Sequence, residues 1–170
     1  MAIASFGSRT YTNNDGLKIR FGLDQAEEQR EGAPRQAGST LEYEFDVDTA
    51  RMAAFGTNQV LNKVPTVALP SGMLLKSAIL TTITPFTSAG AMTLSIGTCG
   101  QDGTELDNDG IDAAIALTAI DAVGETVTCD GALIGTVLAA DSYLTLLVNV
   151  ADPTAGKAKL IVTLMPVSDV

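Results

Sequence analysis

From Pro70 onward the chain falls into short apolar runs separated by Gly, Asp, Pro and Asn, and this punctuation constrains the fold more than any motif does. Strand-length runs joined by turn residues at short spacing favour an antiparallel sandwich or barrel over a parallel α/β sheet. The pattern predicts strands over 74–83, 92–97, 125–129, 143–150 and 157–165, with a weaker one near 133–138. Upstream, "LEYEFDVD" sets Leu41, Tyr43, Phe45 and Val47 on one face and Glu42, Glu44, Asp46 and Asp48 on the other. Such alternation marks a strand with one buried side and one side facing water or a partner.

Nearer the start, "LKIRFG" alternates Leu17, Ile19 and Phe21 with Lys18 and Arg20 after the turn signal "NNDG", which predicts another half-buried strand. The stretch 24–39, "DQAEEQREGAPRQAGS", has almost no large apolar side chain and is expected to be a long loop or an extended arm. Residues 49–62 suit a short helix or an irregular link. The alanines of "DAAIALTAIDAVG", 112–124, predict a helix with Asp112 or Asp109 at its N-cap and Gly124 near its C-cap. The expected fold is mainly β: a sandwich domain over 40–170 with one short helix, preceded by an N-terminal strand and arm over 1–39.

Of the 170 residues, 46% are hydrophobic and 18% charged, which suits one domain with a proper core. There is no histidine, and this excludes Ser-His-Asp, Cys-His and His-zinc chemistry. A net charge of -10 repels phosphate backbones and anionic lipid, so neither nucleic acid nor membrane is an expected partner. Between Lys76 and Lys157 no Lys or Arg occurs, whereas Arg9, Lys18, Arg20, Arg30, Arg35 and Arg51 crowd into the first third. Those basic residues are either an ordinary mixed-charge surface or a docking patch for an acidic partner. The start of the chain has no basic region followed by an apolar run, and cytoplasmic synthesis is the expectation. Cys99 and Cys129 have no zinc or CxxC spacing and are expected to be buried free thiols.

The acidic stretch "QDGTELDNDGIDAAIALTAID", 101–121, invites a metal or acid/base reading. Setting Gly110 on the invariant glycine of an EF-hand loop puts Glu105, Asp107 and Asp109 at ligand positions, but Ala116 stands where the bidentate glutamate belongs. An irregular calcium cage stays open beside the preferred reading of a solvated turn running into a helix cap. A glycosidase pair would need aromatic platforms, and this half of the chain offers only Phe86 and Tyr143. Gly97, Gly100 and Gly103 shape a loop and lack the lysine of a phosphate cradle. No cofactor is expected.

The order of "YTNNDGLKIRFG", "PSGMLLKSAILTTITPFTSAGAMTLSIGTCGQDGTELDNDG", "DAAIALTAIDAVGETVTCDGALIG" and "TAGKAKLIVTLMP" resembles small virion proteins of tailed bacteriophages, above all the capsid decoration or cement proteins. The resemblance covers most of the chain and rests on turn-rich β segments. It implies a β-sandwich or jelly-roll domain, a homotrimer on the exterior of the head, and the major capsid protein as partner. It brings no catalytic residue. On this reading Lys18, Arg20, Arg30 and Arg35 are the candidate capsid contacts. A head-fibre base, a tail component or a carbohydrate-binding adhesive module are the other readings.

Overall fold

The computed structural model describes residues 10–12, 18–20, 34–37, 40–50, 52, 56–60 and 68–167. Its strands are β1 (Thr10–Thr12), β2 (Lys18–Arg20), β3 (Pro34–Ala37), β4 (Thr40–Asp48), β5 (Asn58–Val60), β6 (Met73–Ser88), β7 (Thr93–Cys99), β8 (Glu105–Ala116), β9 (Thr126–Thr128), β10 (Tyr143–Asn149) and β11 (Pro153–Pro166). Two antiparallel sheets form the body, a five-stranded one ordered β3-β4-β11-β6-β9 and a four-stranded one ordered β5-β10-β7-β8, while β1 and β2 pair antiparallel as a two-stranded sheet.

The five-stranded sheet follows from alternation. On β4 the buried side chains are Tyr43, Phe45 and Val47, and on β11, its antiparallel partner, they are Ala158, Leu160, Val162 and Leu164. These meet Leu94, Ile96, Ile111, Leu144, Leu146 and Val148 of the other sheet in one apolar cluster. Each fully buried Leu, Val or Phe contributes roughly 1.5–3 kcal/mol, so the cluster is the main source of stability. In the four-stranded sheet β7 and β10 are covered on both faces: Ser95, Cys99, Tyr143 and Thr145 are buried along with the inward apolar residues. Polar alternation is therefore absent there, as in any strand hidden on both sides.

Most expected strands lie where the periodicity put them. The helix expected over 112–124 does not form; Glu105–Ala116 is strand β8, and only Leu117–Ala119 makes a short 3-10 turn before buried Ile120. The four-residue spacing of Ile111 and Ile115 looks helical, yet it suits a strand's period of two equally well. Two residues of β7, from Leu94 to Ile96, span Ile115 to Asp112 on β8, and Ala114 takes up the extra residue at φ 57 while its N–H donates to Ser95 Oγ at 3.1 Å. Pairing with β7 supplies the backbone partners that a helix would have supplied, and it overrides the alanines' weak helix preference.

Three smaller corrections follow the same logic. Pro34–Ala37, expected within a loop or arm, is β3 on the edge of the large sheet; the rest of 24–39 lies outside the described residues. Within 49–62, where a short helix was one expectation, the described residues make a turn at 49–50 and then β5. The weak strand near 133–138 is a turn through Gly135 with a single bridge, Leu74 to Val137.

Candidate interaction surfaces

The sequence-predicted contact residues fall in three places. Lys18 and Arg20 belong to β2, Arg35 sits on β3 in register with Glu42, and Arg30 lies outside the described residues. The segment they come from is not basic overall. Residues 1–39 hold five basic and five acidic residues, so residues 40–170 carry the whole net charge of -10.

The outward face of the large sheet is the more definite surface. Glu42, Glu44, Asp46 and Asp48 line β4 in register with Thr163, Ile161, Lys159 and Lys157 of β11. Lys159 Nζ bonds Glu44 Oε1 and lies 3.0 Å from Asp46 Oδ1, and these contacts, the Glu44 bond first, raise the lysine above its ordinary range. One strand further on, Ile161 is in register with Ile79; both are exposed, as is Ile83. Carboxylates thus run along one side of this face and an isoleucine stripe along its middle.

The acidic stretch that suggested a metal loop is mostly an edge strand. Only Gly100–Thr104 is a turn: Asp102 Oδ1 accepts from the Thr104 N–H at 3.0 Å and Oδ2 from its hydroxyl at 2.8 Å, which holds Asp102 below the usual carboxylate range. Glu105, Asp107 and Asp109 sit at alternate positions of β8. Partial burial, then the neighbouring Asp109 and Glu105 carboxylates, push Asp107 up. Among the described residues no three acidic or thiol side chains gather where they could hold a metal ion. The carboxylates are strung along an edge, where charge also discourages strand-to-strand aggregation.

Asp112, expected to cap a helix in solvent, is instead 5% exposed beside Cys129. Burial raises its pKa, the Cys129 S–H donating to it works the other way, and the Asp130 carboxylate reinforces the rise. Burial first, and Asp112 next, push the Cys129 thiol up to about 12, so it carries no thiolate for nucleophilic chemistry near neutral pH. Both cysteines are free and buried, as expected. The 129–133 turn that brings Cys129 here also covers the β8 edge: Gly131 N–H donates to Ile111 O at 2.9 Å and Leu133 N–H to Gly110 O at 2.7 Å.

The two ends of the sandwich differ. At one end lie the 100–104 turn, the acidic start of β8 and Asp141, whose carboxylate accepts from the Ser71 N–H at 2.8 Å and is held low by it. Toward the other, the turns after β6 and β10 present Ala89, Gly90, Ala91 and Val150 with Asp152, and the adjoining 120–124 segment, which follows β6 from Phe86 to Thr82, presents Ala122 and Val123 with Asp121. Val150 and Val123 are 66% and 70% exposed, and sequence reasoning missed both. The available signal was an apolar residue in the turn "NVADP", where Asn or Gly is usual.

No family model matches this chain, and no curated protein matches it. Solved structures do. A chain of the cyanophage Pam1 capsid asymmetric unit matches with a TM-score of 0.55 at 18% identity, over 82% of this chain and 95% of that one. A chain of the capsid of Ralstonia phage GP4 matches with a TM-score of 0.56 at 19% identity, over 78% and 88%. At such identity the likeness is one of fold, and the fold is one that chains of two phage capsids share with this protein.

Proposed function

We propose that this chain is a non-enzymatic structural protein of a phage virion, a decoration or cement protein that binds the outside of the head and holds neighbouring major capsid subunits together, as a homotrimer. The observation that carries this reading is the fold shared with phage-capsid chains along nearly their whole length. The composition supports it: a chain without histidine, with a rigid two-sheet core and a one-signed body, is suited to binding and not to proton transfer. In this role Lys18, Arg20, Arg30 and Arg35 tether the N-terminal segment to acidic shell surface, and several copies bound together add avidity.

The test is to add purified protein to expanded shells of its own phage and heat them. Decorated shells should disassemble at a higher temperature than bare ones. Equal disassembly temperatures at saturating protein would refute the cement role. Light scattering on the free protein should give three times the mass of the 17.5 kDa chain.

A further inference from the structure

The turn between β10 and β11 holds an apolar side chain in a backbone conformation that disfavours it. Val150 adopts φ 74, a left-handed value rare for a β-branched residue, and leaves most of its side chain in water. Neither feature serves the fold, because Asn or Gly would meet the same turn with less strain. The turn is also held firmly. The Ala151 N–H donates to Asn149 O at 3.0 Å, Ser88 Oγ donates to Asp152 O at 2.8 Å, and the Thr87 and Thr154 hydroxyls bond at 2.8 Å. Local strain on a rigid scaffold is characteristic of a contact site, where a fixed side chain loses little entropy on binding.

We infer that Val150, with Val123 on the adjoining 120–124 segment, is where the protein seats on the shell, entering an apolar depression of the major capsid protein rimmed by Lys or Arg. This rests on the function proposed above. The basic rim follows from Asp121 and Asp152 flanking the two valines. A second copy of the chain is a poor occupant, since it would set these carboxylates against their own kind on bodies that each carry the full -10. The acidic end, with Asp102, Glu105, Asp109 and Asp141, then faces outward and keeps decorated particles apart.

The test compares wild type, V150N, V123S and, as a control at the acidic end, V137N, since Val137 is also exposed. Affinity for bare expanded shells and the thermal midpoint of the free protein are read for each. V150N should bind roughly tenfold or more weakly, V123S less severely so, and V137N like wild type. The midpoint of V150N should stay level or rise by a few degrees, because asparagine tolerates the left-handed region. Wild-type binding with V150N within about twofold of it would overturn the seating assignment alone. A clearly lowered V150N midpoint would also overturn it, by showing that Val150 serves the fold. Failure of wild type to bind would overturn the function and the seating together.

Discussion

Two strands of this protein are rich in carboxylates, and they are built differently. β4 carries Glu42, Glu44, Asp46 and Asp48 at strictly alternating positions, all outward, while Tyr43, Phe45 and Val47 fill the core. β8 carries Glu105, Asp107, Asp109 and Asp112, but its register with β7 slips repeatedly and Asp112 ends inside. The period of two keeps charge in water only while a strand stays in register; each bulge exchanges the faces that follow it. Between Asp107 and Asp112 five positions on β8 answer to the two β7 positions from Thr98 to Ile96, and these three inserted residues bring Asp112 into register with buried Ile96.

The largest effect should come from closing the space the bulge occupies. A Cβ at Gly97 would fall onto the backbone of Asp107 and Asn108, which cannot swing aside as a side-chain tip can. G97A should cost about 3 kcal/mol or more, readable as a drop in denaturation midpoint; a loss below about 1 kcal/mol would show that β8 is not held so tightly against β7.

Next is the acid that β8 buries. Because burial raises Asp112, its favourable contribution is complete below the ordinary carboxylate pKa and is lost as pH rises through the folded value. D112N, which needs no proton to stay neutral, should be about 1 kcal/mol more stable than wild type at pH 7. That advantage should shrink on acidification toward about pH 4, as followed by urea unfolding at several pH values. A constant difference across pH would contradict a buried, proton-holding Asp112.

On β4 the matching perturbation should barely register. K159A removes the cation shared by Glu44 and Asp46, but the group is a third exposed, and the expected loss is roughly 0.2–1 kcal/mol, smaller still at high salt. A loss exceeding that of G97A would reverse the contrast between the two strands.

The same contrast explains what the sequence made legible. "LEYEFDVD" and the runs that became β6, β10 and β11 were readable because one face meets core and the other water, or because the run is apolar throughout. "ELDNDGIDAAIA" was not, since bulges broke its period and turned Asp112 and Ile115, three positions apart, both inward, beside alanines that favour a helix. The metal reading of Glu105, Asp107 and Asp109 assumed a loop where there is a strand. Cys129 and Asp112, distant in sequence, meet only because the 129–133 turn folds over the β8 edge, a tertiary fact that no local pattern encodes. Val150 was missed because "NV" reads as the end of the strand expected over 143–150, whereas β10 stops at Asn149 and Val150 turns at φ 74.

Electron cryomicroscopy of expanded shells incubated with and without the protein tests the account most directly. The account predicts added density on the outer surface, in trimers, with the turn containing Val150 against the shell and the acidic end pointing away. Shells left bare, or density confined to the interior, would contradict it.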